Sequence, residues 1–194
     1  MISKTRIQAG AVLKPHELAT IHSEVIRIPD PLRLVHLQFR RFAGCPVCNM
    51  HLHSIVRRHE EIVGASIREV VVFHSTAQEL LPHAGDLPFA VVADPHKRLY
   101  GVFGVESAVR SLLDPHAWMP VLRAVFRSLR AILRKQQPIP AVSLTGGRLG
   151  LPADFLIASD GRVLACKYGS HVYDQWSVDE LLALSGPEDS VHQH

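Results

Sequence analysis

Cysteine is scarce in this sequence, which has three among 194 residues. Three cysteines are too few, and of the wrong parity, for a framework of structural disulfides, and in a reducing compartment a closely spaced pair is more often catalytic or metal-binding than structural. Long apolar runs are also missing. No stretch approaches the 18 apolar residues that would span a membrane, and the first twenty residues lack the features of a secretory signal. We therefore expect a soluble, cytoplasmic protein.

A strong excess of charge is lacking too. The formal net charge is +3, the basic residues are spread along the chain, and no aromatic-rich basic strand recurs. Nucleic-acid binding is therefore not suggested. With 47% hydrophobic residues the chain can bury one sizeable core. We expect an N-terminal lead-in at 1–32, one domain at 33–185 and a flexible tail at 186–194.

The feature that carries chemistry is the sequence Gly44-Cys45-Pro46-Val47-Cys48. Before it, apolar and polar residues alternate over 33–42 with the period of a strand. Pro46 suits the first position of a helix, where its missing N–H costs nothing. An apolar stripe then continues at spacings of four and three, which predicts one amphipathic helix ending near Gly64. The stripe comprises Cys48, Leu52, Ile55, His59 and Ile62.

This context predicts different roles for the two cysteines. A helix N-terminus lowers the pKa of a thiol placed there, which favours a reactive thiolate at Cys45. Arg41, together with its neighbour Arg40, could add positive potential or serve only as an ordinary strand-end charge. Cys48 lies one helical turn later on the apolar stripe, so the two sulfurs can meet and Cys48 should face inward. Cys45 is thus expected to attack and Cys48 to resolve.

A zinc site is the main chemical alternative for the pair. His51 and His53 follow closely, but a continuing helix sends them to different faces, and no second ligand pair at metal-site spacing follows. We expect no metal and no organic cofactor. The third cysteine, Cys166, lies in an apolar segment and is most simply a small core residue.

The remaining pattern predicts an α/β sandwich with a mixed central sheet flanked by helices. Short helical turns are expected at 16–20 and 96–103, and a longer helical region at 106–135. Asp160-Gly161 predicts a hairpin turn, and Ser177 begins a capping box for a last helix. The predicted strands are 33–42, 70–73, 89–93, 155–157 and 163–165.

Three segments resemble the peroxiredoxin-like branch of the thioredoxin superfamily, the group of alkyl hydroperoxide reductase and thiol-specific antioxidant proteins. They are 39–48, with its strand running into CPxC; 94–102, with Asp-Pro and Tyr-Gly-Val; and 152–161, with Pro-Ala-Asp-Phe-Leu-Ile and Asp-Gly. The resemblance implies a thioredoxin-like fold with a helical insertion at 106–150 before the last hairpin. It also implies thiol-based reduction of a peroxide or disulfide substrate, with a thioredoxin-like or low-molecular-weight thiol as reductant.

The chain departs from that family at two places. If Cys48 is the counterpart of the peroxide-attacking cysteine, the position of the family's peroxide-binding Thr or Ser is held by Cys45. Pro152 stands where thioredoxin-like proteins have a cis-proline facing the dithiol, and the family's arginine before the late strand has Arg148 as its nearest substitute. The resemblance leaves the attacking cysteine open. Both departures favour a dithiol oxidoreductase over a peroxidase.

A function without redox chemistry also stays open. The chain could be a redox-silent binding or scaffold domain that keeps the fold and uses the 106–150 insertion to engage a partner. The same insertion could cover the site or build a homodimer interface, although packing on the sheet is the simpler interpretation.

Overall fold

A computed structural model describes residues 6–41, 46–105, 151–170 and 174–186, with the backbone alone at 46–50. The predicted insertion at 106–150 and residues 187–194 of the predicted tail lie outside the described residues, as do Gly44, Cys45 and Arg148. The described strands are β1 (His16–Ala19), β2 (Val25–Ile28), β3 (Leu34–Arg40), β4 (Ile67–Phe73), β5 (Ala90–Ala93), β6 (Ala153–Ile157) and β7 (Val163–Tyr168).

The central sheet is mixed, as the sequence predicted. Its strand order is β5-β4-β3-β6-β7. Strands β3, β4 and β5 are parallel, whereas β6 runs antiparallel to β3 and to β7. The carboxyl ends of β3, β4, β5 and β7 therefore meet the start of β6 at one edge of the sheet, which we call the thiol edge because β3 leads there to Cys45.

Helices cover both faces of this sheet. They are α1 (Pro46–Arg57), α2 (His59–Gly64), α3 (Ala77–Ala84), α4 (Arg98–Val102) and α5 (Val178–Ser185). The helix predicted to run to Gly64 is in fact two helices, because Arg58 leaves helical geometry with φ −114° and ψ 21°. At this break the Arg58 side chain forms ion pairs with Glu61 and Asp179. The break lets Ile62 reach the core, where it is fully buried.

The helical turn predicted at 16–20 is wrong. Residues 16–19 form β1, which pairs antiparallel with β2 from His16 opposite Ile28 to Ala19 opposite Val25. The hairpin is tied to the sheet where the amide of Ile21 donates to the carbonyl of Val91 at 2.9 Å. A five-residue window contains no sign of the partner strand, and pairing with that strand overrides the weak local helical preference.

Turn and cap signals gave the right local structure near the C-terminus. The hairpin between β6 and β7 turns at Asp160-Gly161, where Gly161 has φ +89°. A Cβ on Gly161 would also lie 2.9 Å from the carbonyl oxygen of Leu13, so both its conformation and its surroundings favour glycine. The Ser177 capping box is confirmed: its hydroxyl accepts from the amide of Glu180, whose carboxylate accepts from the amide of Ser177.

Candidate active site

The chain leaves the sheet and enters helix α1 at the thiol edge. Helix α1 begins at Pro46, as predicted, and its first turn contains no acidic residue. Pro46 follows Cys45 directly in the sequence, so the carbonyl of Cys45 is bonded to the first residue of this helix. Cys48 lies in the first turn, on the helical face shared by positions 51, 52 and 55. Leu52 and Ile55 on that face are buried.

Four residues converge at the thiol edge from different strands. Arg41 follows β3, His74 follows β4, Asp94 follows β5, and Pro152 precedes β6. The backbone amide of His74 donates to the carbonyl of Arg41 at 3.2 Å, and that of Asp94 donates to the carbonyl of Phe73 at 2.7 Å. The hydrogen bonds between the parallel strands thus continue one residue past the strand ends and fix the backbone there.

Pro152 lies beside the end of β3, because the next residue, Ala153, pairs with Phe39. It is buried, and its carbonyl accepts from the amide of Gly169 at 2.9 Å. The Leu151–Pro152 bond is trans; within the described ranges the cis peptide bond is Ile28–Pro29. Pro152 therefore lies at the thiol edge without the cis bond of the thioredoxin-like pattern.

A buried polar cluster lies inward from this edge on the α1 face of the sheet. We call it the charge cluster, and each member is at most 2% exposed. Its members are His36, Gln38, Arg40, Glu69 and Asp154. The Arg40 guanidinium donates to Asp154 Oδ1 at 2.7 Å and to the Gln38 side-chain oxygen. The Gln38 amide in turn donates to Glu69.

His36 joins the two carboxylates of the charge cluster. Its Nδ1 lies 2.9 Å from Glu69 Oε1, and its Nε2 lies 3.3 Å from Asp154 Oδ1, close enough for an ion pair but not aligned as a hydrogen bond. Burial opposes protonation of His36, but the charges of Glu69 and Asp154 outweigh it and raise its pKa to about 9. Burial also opposes ionisation of Asp154, yet Arg40 and His36 hold its pKa well below the usual range. The cluster therefore contains two paired cations and two carboxylates.

Helix α1 contributes His51 to the surroundings of the charge cluster. Burial, with the nearby positive charge of Arg40, lowers the pKa of His51 to about 3, so its ring is neutral. Its buried Nε2 has no hydrogen-bond partner among the described residues. Since Arg40, Asp154 and His36 all act on His51, the charge cluster lies close to α1, the helix that contains Cys48.

His74 is a second buried histidine at the thiol edge, on the other face of the sheet. It is fully buried, and its ring meets the edge of Tyr100 with 5.7 Å between centroids. The Tyr100 hydroxyl donates to the carbonyl of Arg40, with the carbonyl oxygen of Val72 at 3.1 Å. Burial and the nearby charges of Lys97 and Arg41 lower the pKa of His74 to about 4. Its ring is therefore neutral at neutral pH.

The sequence did not point to the roles of these residues. His36, Gln38 and Arg40 occupy the polar positions of an alternating strand, a pattern typical of a sheet with one wet face. Arg40, considered as a source of positive potential, is neutralised by Asp154. Asp154 could have indicated the buried cluster from the sequence. It follows Pro152-Ala153 at the start of an otherwise apolar strand, and an ionised group in a central strand requires a partner.

A cavity of about 400 Å³ lies at the opposite edge of the sheet, where β4 and β5 begin. Ile67, Phe89 and His59 are among the residues that line it. It is separated from the thiol edge by the length of the strands, and we assign it no part in the thiol chemistry. No group of three or more candidate metal ligands occurs among the described residues. The helices in those residues are also too short or too polar to cross a bilayer.

Solved structures with the same architecture define the class of fold. A peroxidoxin, BcpB, from Mycobacterium tuberculosis matches 93% of this chain and 97% of its own, with TM-score 0.65 and 15% identity. The 2-Cys peroxiredoxin of Plasmodium vivax matches 92% of this chain and 80% of its own, with TM-score 0.61 and 12% identity. A candidate thiol:disulfide interchange protein DsbE from Chlorobium tepidum matches 94% and 100%, with TM-score 0.58 and 14% identity. The fold is thioredoxin-like.

The family follows from the sequence itself. A model of the AhpC/TSA antioxidant enzyme family matches residues 54–171, more than half of the chain. The protein belongs to this family, as the resemblance implied. The matched region begins after Cys48, so membership rests on the domain downstream of the cysteine pair. No significant match exists among curated protein sequences.

Proposed function

We propose that the protein is a thiol oxidoreductase that reduces peroxides or disulfides with Cys45 as the attacking thiolate and Cys48 as the resolving thiol. The observation that carries this proposal is the start of helix α1 at Pro46, the residue after Cys45. Backbone N–H groups at a helix start stabilise an anion, and no acidic residue in the first turn of α1 opposes that effect. Family membership supports redox chemistry in general.

With a hydroperoxide ROOH, the Cys45 thiolate attacks the terminal oxygen and the O–O bond breaks. Cys45 becomes a sulfenic acid, and the alkoxide leaves and takes up a proton to give ROH. The Cys48 thiol then attacks the Cys45 sulfur, which forms the disulfide and releases water. With a disulfide substrate, the thiolate displaces one thiol and Cys48 displaces the other.

The disulfide is returned to the dithiol by two electrons from a thioredoxin-like protein or a low-molecular-weight thiol. A reducing compartment such as the cytoplasm suits this cycle, because few cysteines are present and two of them form a CxxC pair. Gly44, Arg41, Pro152 and Arg148 are proposed to support the site. Of these, Arg41 and Pro152 are described, and both are at the thiol edge.

Intact mass after one equivalent of hydrogen peroxide or oxidised glutathione tests the proposal. Wild type should lose two hydrogens, and so should the matched control Cys166→Ser, which alters the half-buried third cysteine on β7. Cys45→Ser and Cys48→Ser should not form the internal disulfide. If wild type stays fully reduced with both oxidants, the redox proposal fails and the binding or scaffold alternative is favoured.

The same variants assign the roles within the pair. In Cys48→Ser, peroxide should leave a sulfenic acid on Cys45 that dimedone traps and peptide mapping locates. In Cys45→Ser, trapping at Cys48 should be slower by at least tenfold. If Cys48 is trapped faster than Cys45, the roles are reversed and the peroxiredoxin register is correct.

A further inference from the structure

We propose that the cavity at the edge of the sheet opposite the thiol edge binds a short zwitterionic peptide, two or three residues long, with an apolar side chain. Arg33 and Arg68 hold the carboxylate of this peptide, Glu24 holds its ammonium group, and an apolar wall receives its side chain. The inference concerns a second site and does not rest on the proposed function.

The cavity is bordered by several elements that hydrogen bonds hold together. Its volume of about 400 Å³ is typical of small-molecule sites. The turn between β1 and β2 forms one side, and α2 and the starts of β4 and β5 form the others. The amide of Ile21 in this turn donates to the carbonyl of Val91 at 2.9 Å, and His22 Nε2 lies 3.0 Å from the carbonyl oxygen of Gly85. These contacts keep the turn at the cavity without a ligand.

Part of the cavity lining is apolar. Ile67 at the start of β4 and Phe89 before β5 line it, as does Val63 on α2. The Val63 side chain is 49% exposed, which leaves apolar surface uncovered beside the cavity. The Phe89 ring lies 5.8 Å from the ring of His59, measured between centroids. An apolar or aromatic ligand side chain would bury this surface.

Two cations of the cavity lining share one carboxylate. Arg33 and Arg68 both donate to Oδ2 of the buried Asp30, at 3.2 and 2.8 Å. The other oxygen of Asp30 accepts from the amide of Leu32 at 3.0 Å. The three charged groups therefore sum to one positive charge. Each guanidinium keeps further N–H donors, which suit a carboxylate ligand.

One carboxylate of the cavity lining is available to a cationic group. Glu24 is exposed and forms no ion pair among the described residues. Its backbone amide donates to Thr20 Oγ1 at 3.2 Å, which fixes its place in the turn. Glu69 also lines the cavity, but its carboxylate is fully buried and bound to His36 at 2.9 Å. Glu24 is thus the partner for a ligand ammonium group.

The strand order separates Glu24 from the two arginines. The β1–β2 turn lies beside β5, where Thr20 bridges to Val92, and β5 lies beside β4, which contains Arg68. Two strand spacings amount to about 10 Å. An extended peptide spans about 3.3–3.6 Å per residue, so two or three residues bring its two ends to the opposite charges. In a free amino acid the two charged groups are too close together to reach both.

Modified peptides test each part of the site. We would measure binding to the reduced protein by titration calorimetry, using Ala-Phe-Ala, its N-acetyl form, its C-terminal amide and Ala-Ser-Ala. Ala-Phe-Ala should bind saturably, and each of the other three should bind at least about tenfold more weakly, because each lacks one charged end or the apolar side chain. No saturable binding of Ala-Phe-Ala, or equal affinity for any modified peptide, would overturn the proposal.

Variants assign the two ends of the peptide. Arg33→Gln should weaken binding of Ala-Phe-Ala about tenfold and leave that of its amide unchanged, whereas Glu24→Gln should weaken Ala-Phe-Ala but not its N-acetyl form. Arg27→Gln and Glu17→Gln are matched controls, because they alter an exposed ion pair outside the cavity lining. A loss that is the same for free and modified peptides, or that the controls share, contradicts the assigned contacts.

Backbone amide NMR shifts locate the bound peptide. On addition of Ala-Phe-Ala the largest shifts should be at Glu24 and Ala90, which border the cavity, and not at Asp94 on the thiol edge. Largest shifts at the thiol edge would mean that the peptide binds there, which overturns the proposal. Because neither measurement requires turnover, both give their answer whether or not Cys45 reduces a substrate.

Discussion

The two faces of the central sheet are built by different physical rules. On the α4 face, Phe39, Phe103 and Phe155 form an aromatic core, with ring centroids 5.0–5.8 Å apart. On the α1 face, the neighbouring positions of the same strands hold Arg40 and Asp154, equally buried and 2.7 Å apart. The apolar face is stabilised by close packing of its side chains, whereas the charged face is stable only when each buried charge keeps its partner.

The two faces of the sheet also contribute differently to the thiol edge. The apolar face anchors Tyr100, whose hydroxyl holds the ends of β3 and β4. The charged face lies beneath α1, the helix that begins directly after Cys45. The apolar face depends on close packing and the charged face on paired buried charges, so disturbing the two faces should affect stability in different ways.

The largest effect is expected from breaking the buried pair. Asp154→Asn removes the counter-charge of Arg40 and His36, and we expect a loss of about 3–5 kcal/mol in the free energy of unfolding. Urea denaturation measures it. Asp179→Asn, on an exposed carboxylate paired with Arg58, is the matched control and should leave the denaturation midpoint unchanged.

The double variant Arg40→Met/Asp154→Leu sharpens the same comparison. Because it removes both charges together, it should be more stable than either single variant by about 2 kcal/mol or more. Additive losses in the double variant would show that the two side chains act independently, against the ion-pair interpretation.

The next effect is the pH dependence of stability. The folded-state pKa of His36, about 9, exceeds its ordinary value of 6.5. Its contribution to stability is therefore complete below pH 6.5 and is lost as the pH rises through 9. We expect the free energy of unfolding to fall by on the order of 2 kcal/mol between pH 6.5 and 9.5. His36→Gln should flatten this slope; an unchanged slope would rule out His36 as its source.

Below pH 6.5 the free energy of unfolding should change with pH in the opposite direction and fall as the pH is lowered. The pKa of His51, about 3, and that of His74, about 4, lie below the ordinary value, so the unfolded chain binds protons that the folded chain does not. Stability should therefore fall on acidification through this range as well, and the maximum should lie near pH 6.5. The depressed pKa of Asp154 extends the acid-side loss to still lower pH.

The smallest effect is expected on the apolar face. Phe155→Leu keeps an apolar side chain but loses ring contacts with Phe39, Phe103 and Tyr168. We expect a cost of roughly 1–2 kcal/mol, with the same value at pH 6.5 and 9 because no charge is involved. A cost that grows with pH would mean that the two faces are coupled through the sheet.

Much of the fold could be predicted because the signals are local. Alternation identified β3, Asp-Gly identified the β6–β7 turn, and Pro46 marked the start of α1. The failures were where local signals are weak. The β1–β2 hairpin requires its two strands to be recognised together, and no local signal marks the break at Arg58, whose side chain pairs with Asp179, 121 residues away.

The candidate site divides in the same way. Cys45 and Cys48 were identified by their spacing, and their roles stay predictions. Arg40, His36 and Asp154 could not be recognised as a cluster, since Arg40 and Asp154 are 114 residues apart in the chain. The resemblance put Pro152 at a cis-proline position facing the dithiol; the structure has Pro152 beside the end of β3 with a trans bond, and its role at the site stays a prediction.

The sequence by itself determined the periodicities, the turns, the caps and a CxxC motif at a helix start, because each depends on neighbours within one or two turns of chain. Only the tertiary structure decided which polar side chains are buried. Burial depends on what covers a strand: Trp176 packs against His36 on one face, whereas Tyr100 of α4 packs against His74 on the other. The pKa of His36 is therefore raised to about 9 by two carboxylates that outweigh its burial, whereas burial, together with two nearby cations, lowers the pKa of His74 to about 4.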